Sequence, residues 1–284
     1  MTINPRSLAC RVEDRICGYA RPTALVALSG GVDSSVVLAL AARAIGSDAV
    51  TAVTAVSPSY PAGELEAARE VAAFVGTPFR VVRTGEVDRE AYARNDGRRC
   101  FHCKAELYGV LRRLSTGESR GQAAVLSGAN ADDQLDVRPG LVAGAGLGVK
   151  NPLLEEGIGK HDVRAVARML HLPVADKPAL ACLSSRVAFG IRITSNLLGR
   201  IDRAEGAVRA LGFATVRVRH LGEVASIEVP ATDVARLMAH PELPAIEQML
   251  RDLGWSRVEI DPRGYRQGSM NATLIRTEPL TIRR

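Results

Sequence analysis

The sequence predicts an α/β protein with a parallel sheet covered by helices on both faces, joined to a smaller C-terminal α+β domain. Three observations carry that expectation. Short, largely apolar runs recur at 23–28, 49–56, 79–83 and 123–126, the mark of strands in a sheet covered on both faces. Helical patterns separate them, which is the order of parallel crossover units. After residue 195 the order changes to helix, strand, strand, helix, strand, so the boundary is expected near 190, with domains 1–190 and 191–284.

Taken in order, an N-terminal helix carries Cys10 and Cys17, read as packing residues. The first strand runs into Ser29-Gly30-Gly31, and a Val-, Leu- and Ala-rich helix follows at 34–45. A strand at 49–56, a helix at 63–75 and a strand at 79–83 come next. Residues 95–104 are less regular and lead into a helix at 105–114, ahead of the fourth strand. A helix at 160–170 is stopped by Pro173 and Pro178, because proline offers no amide and disfavours helix before it. Residues 178–194 lack periodicity yet hold Cys182, Ser184, Ser185, Arg186 and Arg192, a composition that marks a functional loop. The second domain reads as a helix at 196–211, strands at 215–220 and 225–229, a helix at 232–238 whose pattern extends toward 253, and a strand at 257–260.

Composition narrows the class. The chain has 284 residues, 46% hydrophobic and 24% charged, ordinary globular proportions that exclude disorder. No apolar run reaches the roughly 18–20 residues of a membrane span, and the start lacks the order of a secretory signal, so a cytoplasmic protein without membrane contact is expected. The net charge of +6 favours anionic partners, but aromatic residues at 4% offer few platforms for stacking bases. Five cysteines without an export signal argue against a disulfide framework and raise metal or reactive-sulfur chemistry instead.

Ser29-Gly30-Gly31-Val32-Asp33-Ser34-Ser35 lies between the first strand and first helix, where backbone amides and a helix N-terminus converge on an anion. Two glycines allow close approach to phosphates, and three serines add hydroxyls. No Gly-Lys-Ser/Thr follows, so this is not the Walker loop of kinases and motors. It resembles instead the PP-loop, the SGGxDS signature of ATP pyrophosphatases, which cleave ATP between the α and β phosphates. Gly128-Ala129-Asn130-Ala131-Asp132-Asp133 follows the fourth strand. Asp132 and Asp133 are placed to hold Mg²⁺ against the phosphates; the competing reading is a helix cap with first-turn acids.

Cys100-Phe101-His102-Cys103 is a single Cys-x-x-Cys, which alone is a weak signal; a zinc site would need further ligands such as His102 or Cys182. Thioredoxin-like use is disfavoured, since that motif opens a helix directly after a first strand. Cys182 stands in Ala181-Cys182-Leu183-Ser184-Ser185-Arg186, where the nearby arginine is expected to favour thiolate; a small buried core cysteine is the alternative. Arg217 and Arg219 share one face of a strand and, with Arg266, are candidates for forked hydrogen bonds to phosphate or carboxylate.

Together these segments resemble the LarE family of ATP-dependent sacrificial sulfur transferases. The resemblance rests on Ser29 to Ser35, Gly128 to Asp133 with Asp136, Arg138-Pro139-Gly140, Asp176-Lys177-Pro178-Ala179, the Cys182 segment, Arg217-Val218-Arg219 and 264–271, and it covers about 20–271. Gly128-Ala129-Asn130 departs from the family's usual Gly-Thr-Asn. The resemblance implies ATP and Mg²⁺ as cofactors and a pyridinium biscarboxylic acid mononucleotide as substrate, on the route to the nickel-pincer nucleotide of lactate racemase. ATP adenylates a ring carboxylate with loss of pyrophosphate, and the sulfur at Cys182, with Ser185 and Arg186 beside it, displaces AMP. Breakage of the cysteine Cβ–S bond then releases thiocarboxylate and leaves dehydroalanine. Part of the family also carries a Cys-x-x-Cys, and Cys100, Cys103 and Cys182 match its three-cysteine pattern for a [4Fe-4S] cluster. That version is favoured here, because Cys100 and Cys103 are otherwise surplus. Family members form homo-oligomers, and the resemblance carries that expectation too.

Three rival readings remain. A PP-loop enzyme thiolating tRNA predicts RNA binding that weakens steeply with salt, and an ammonia-using adenylating amidotransferase needs no cysteine. A non-enzymatic nucleotide-binding module would release no pyrophosphate.

Overall fold

Alternate residues of the first strand face opposite layers, and that single fact organises the larger part of the chain. Ala24, Val26 and Leu28 join one apolar cluster, while Leu25 joins another. A computed structural model describes residues 4–117, 122–134, 139–178 and 181–266. Asp136, Arg138, Ala179 and 267–271, named above, lie outside the described residues.

The elements in chain order are α1 (Pro5–Gly18), β1 (Ala24–Ala27), α2 (Val32–Ile45), β2 (Val50–Val56), α3 (Glu64–Val75), β3 (Phe79–Arg83), α4 (Glu90–Ala93), α5 (Arg99–Thr116), β4 (Ala124–Leu126), α6 (Pro139–Gly146), α7 (Pro152–Glu155) and α8 (Lys160–Met169), followed by α9 (Ser195–Ala210), β5 (Arg217–His220), β6 (Val224–Glu228), α10 (Val234–Met238), α11 (Leu243–Asp252) and β7 (Arg257–Ile260). They fall into two compact units. The first comprises Met1–Ser57, Ala62–Glu86 and Cys100–Leu180; the second takes Pro58–Pro61, Val87–Arg99 and everything from Ala181.

In the first unit, β1 to β4 form a parallel sheet ordered β3-β2-β1-β4. Residues of α1, α2, α3 and α8 cover one face, and Tyr108 and Leu111 of α5 cover the other. Helix α2 is buried nearly all round, with Val36, Val37, Leu38 and Leu40 fully enclosed; each such side chain contributes about 1.5–3 kcal/mol of transfer free energy. The chain moves outward from β1 to β2 to β3 and then returns to place β4 on the other side of β1. Ligands of open parallel sheets bind at that reversal, beyond the strands' carboxyl ends.

In the second unit, β6 is central, antiparallel to β5 and parallel to β7. Helix α9 opens with Thr194, whose hydroxyl accepts from the Leu197 amide at 3.2 Å. Among the described residues no helix is long and apolar enough to cross a membrane.

Three expectations need correction. Helix α5 starts at Arg99, not near 105, so Cys100 and Cys103 lie in its first turn. After buried Arg99, residues 100–103 are exposed or half-buried and lack the apolar stripe that betrays a helix. The pattern running from 232 toward 253 is broken into α10 and α11 at Pro241, which has no amide to continue the ladder. Cys10 and Cys17 are exposed rather than packed; the buried face of α1 is Leu8, Ala9, Val12 and Ile16.

Candidate active site

Gly30 and Gly31 shape the turn after β1. Gly30 adopts φ +76°, and a Cβ there would stand 3.0 Å from the Glu64 carbonyl oxygen, so only glycine fits both the conformation and the space. The serines organise the loop on itself. The Ser29 amide donates to Ser34 Oγ at 3.2 Å, and the Ser34 and Ser35 hydroxyls donate to the Gly31 carbonyl at 3.1 and 2.8 Å. The loop after β4 presses against this turn, since a Cβ on Gly128 would fall 2.5 Å from the Ser34 nitrogen.

Asn130 and Asp133 form a reciprocal cap. The Asp132 amide donates to Asn130 Oδ1 at 3.0 Å, and the Asn130 amide donates to Asp133 Oδ2 at 3.1 Å. Asp132 Oδ2 accepts the Lys160 amide at 2.8 Å, at the start of α8. The acids thus act as helix caps, the alternative raised by their sequence. A carboxylate has about four lone-pair sites, and Mg²⁺ needs only one or two carboxylates beside phosphates and water, so the pair also fits that ion.

Sequence reasoning missed the two lysines here. Lys160 Nζ forms an ion pair with Asp33 Oδ2, and Asn130 Nδ2 donates to Asp33 Oδ1 at 3.2 Å. Lys177 Nζ donates to the Gly30 carbonyl at 3.1 Å and pairs with Glu64 at 2.8 Å. Lys177 stood in a quoted motif, but no local signal linked either lysine to a turn more than a hundred residues earlier.

Cys182, in the second unit, is half-buried and precedes a 3₁₀ turn, Leu183–Arg186. Its loop is clamped at one carbonyl after another. Arg186 Nη1 donates to the Ala181 and Cys182 carbonyls at 2.6 and 2.9 Å, while Ser185 donates to the Cys182 carbonyl through its amide at 3.0 Å and its hydroxyl at 2.7 Å. Arg99 Nη1 reaches the Ser184 carbonyl at 3.0 Å, and Arg219 Nη1 the Ser185 carbonyl at 3.0 Å. Asn95, fully buried with φ +56°, donates to the Ala188 and Ile191 carbonyls at 2.8 and 3.0 Å. Asparagine tolerates that left-handed conformation better than most residues.

The arginine expected to act on the Cys182 sulfur is turned elsewhere. Arg186 is fully buried, with Nε and Nη2 on the two oxygens of Glu205 at 2.8 and 3.1 Å, and Nη1 on the backbone of the loop. Glu205 also accepts Arg209 Nη2 at 2.7 Å and the Val218 amide at 3.1 Å.

The other arginines are unequal. Arg217 is buried, donates to the Val216 carbonyl at 2.7 Å and stacks on Tyr265; burial, then the like charge of Arg186, holds its guanidinium below the usual value. Arg219 pairs with Glu228 at 2.8 Å. Arg266 is exposed, 3.6 Å from Asp261. Arg219 and Arg266 line a cleft of about 430 Å³ together with Ser226, Glu228, Asp261 and Arg263. Asp261 is held below the usual carboxylate range mainly by its hydrogen bond from Arg263.

Cys100 and Cys103, in the first unit, stand three apart on α5 and share one helix face. Thiolates so spaced suit two corners of an iron–sulfur cluster, and Cys182 belongs to the second unit. Among the described residues no group of three His, Cys, Asp or Glu side chains is gathered to hold a metal ion.

The asparagine synthase family model matches residues 12–133, which contain the glycine-serine turn and the Asn130 cap. The chain is 40% identical over 251 residues to an uncharacterised protein of Synechocystis, covering 88% of this chain and 92% of that one. It is 33% identical over 257 residues to the pyridinium-3,5-bisthiocarboxylic acid mononucleotide synthase of Lactiplantibacillus plantarum, covering 90% and 92%. An uncharacterised protein of Methanocaldococcus jannaschii is 28% identical over 173 residues, covering 61% and 66%.

Proposed function

The chain belongs to the family of the pyridinium-3,5-bisthiocarboxylic acid mononucleotide synthase, and from that premise we propose that it is an ATP-dependent sulfur transferase acting on pyridinium-3,5-biscarboxylic acid mononucleotide, the precursor of the nickel-pincer nucleotide. Ser29 to Ser35 would hold the ATP phosphates, and Asp132 and Asp133 would hold Mg²⁺, which would supply positive charge to the phosphates. A ring carboxylate oxygen attacks the α-phosphorus and pyrophosphate departs, turning a poor leaving group into AMP. Sulfur delivered at Cys182 attacks the acyl carbon, and the bond to AMP breaks. The cleft of Arg219, Arg263 and Arg266 receives the substrate phosphate.

The observation that carries this reading is the Cys182 loop. A half-exposed thiol sits on backbone whose carbonyls are tied down by buried arginines and an asparagine, which suits a nucleophile that must meet one acyl carbon. A second reading is favoured by the shared helix face of Cys100 and Cys103: a [4Fe-4S] cluster held by these and Cys182 would supply sulfide through its open iron.

Protein purified without oxygen tests both, through its absorption, its iron content and its intact mass before and after turnover. Pyrophosphate release dependent on the mononucleotide supports the transferase; release without it, or none, overturns it. Loss of the mass of one H₂S without iron assigns the sulfur to Cys182, and brown protein of unchanged mass over several turnovers assigns it to the cluster.

A further inference from the structure

A second cleft, of about 450 Å³, opens in the first unit at the start of β1 and β4, the other end of β1 from the glycine-serine turn. Its volume is that of a small-molecule site. Arg21, Arg112 and Lys150 line it, and no acid does. Arg112 is held in place by its Nη1, which donates to the Leu147 carbonyl at 2.8 Å. Its Nε and Nη2 make no hydrogen bond among the described residues, and Arg21 has neither a hydrogen bond nor an ion pair among them. Lys150 Nζ lies 5.5 Å from the centre of the Tyr19 ring and pairs with no carboxylate of the described residues. Glu155, the acid that Tyr19 reaches, is already taken: it accepts the Tyr19 hydroxyl at 2.8 Å and the Asn151 amide at 2.9 Å, and Arg15 stands 4.0 Å away.

We propose that this cleft is a binding site for a phosphate monoester of mononucleotide size. It shares no residue with the glycine-serine turn or with the arginine cleft of the second unit. Like charges that converge on one cleft without a carboxylate repel one another, and an anion relieves that repulsion. A monoester phosphate carries about −1.5 to −2 at neutral pH, closer to what three cations ask than the single charge of a carboxylate. The free Nε and Nη2 of Arg112 form the fork that meets two oxygens of one phosphate, and Arg21 and Lys150 supply point contacts beside it. Val125 and Leu147 give the same cleft an apolar wall. A bare phosphate would leave that wall to water, whereas the organic part of an ester covers it.

The test titrates AMP, as the probe, into the full chain by calorimetry, with MgATP, inorganic phosphate and succinate titrated separately. Arg21→Ala and Lys150→Ala remove exposed side chains that hold no hydrogen bond of the fold. Each should weaken AMP binding by about tenfold, the worth of one charge-assisted hydrogen bond, and leave MgATP affinity at the wild-type value, which also reports an intact fold. Gly128→Ala, which crowds the glycine-serine turn, should do the reverse, weakening MgATP and keeping AMP. Added potassium chloride should weaken AMP binding in the wild type, because exposed cations are screened. AMP affinity unchanged in both Arg21→Ala and Lys150→Ala overturns the proposal, as does AMP that fails to bind the wild type. Parallel loss of AMP and MgATP in those variants also overturns it, since it places AMP in the ATP site or reports a damaged fold. Inorganic phosphate or succinate bound as tightly as AMP reduces the cleft to a counter-ion site and overturns it too.

Discussion

Arg186 and Glu205 form a two-point ion pair that no solvent reaches, and the arginine's third nitrogen holds the backbone at Cys182. Removing one partner of a buried pair strands the other charge, at a cost of about 3–5 kcal/mol. Glu205→Gln should therefore lower unfolding free energy by roughly that amount in urea titrations. Arg186→Met combined with Glu205→Leu should be less destabilised than Glu205→Leu alone. Equal stability of wild type and Glu205→Gln would show that the pair does not support the loop.

Gly128 leaves no room for a side chain beside the Ser34 amide. In Gly128→Ala the two loops must separate, and ATP binding measured by calorimetry should weaken by about tenfold or more. Gly76→Ala serves as a control, because its φ is also positive but nothing crowds it. It should lose stability and keep ATP affinity.

Lys160 forms an ion pair with Asp33 in the glycine-serine turn. Lys160→Met should weaken MgATP binding by about tenfold, the worth of one charge-assisted hydrogen bond, while Lys160→Arg retains most of it. Unchanged affinity in Lys160→Met would place the lysine outside the nucleotide site.

His220 Nδ1 accepts the Trp255 indole N–H at 2.8 Å, so its imidazole is neutral with the proton on Nε2. Burial, then the positive charge of Arg200, holds its pKa below the ordinary value. The unfolded chain takes up a proton below about pH 6.5 while the folded one does not. Stability from this group is thus present above that pH and falls as pH drops, by at most about 1.4 kcal/mol per pH unit. Urea midpoints of wild type and His220→Gln between pH 7 and 5 should converge as the wild type loses this share; parallel curves would rule it out.

Cys182→Ala should keep substrate-dependent pyrophosphate release and abolish thiocarboxylate formation. If Cys182→Ala still makes thiocarboxylate, the sulfur is handled elsewhere.

The parallel sheet and the glycine-serine turn were legible in the sequence because their causes are local. A strand buried on both faces, as β1 is, reads as an unbroken apolar run, and the turn after it needs glycine at Gly30, where φ is positive. Cys182 was legible as a composition without periodicity. The roles of its neighbours were not, because spacing along the chain says that Arg186 is near Cys182 but not which atom it meets. Only the tertiary structure brought Glu205 to that guanidinium, turning it from the sulfur to the carbonyl, and set Lys160 on Asp33. These pairings join residues far apart in sequence, and burial without water decides them: a charge enclosed by the fold must meet its partner wherever the chain delivers one.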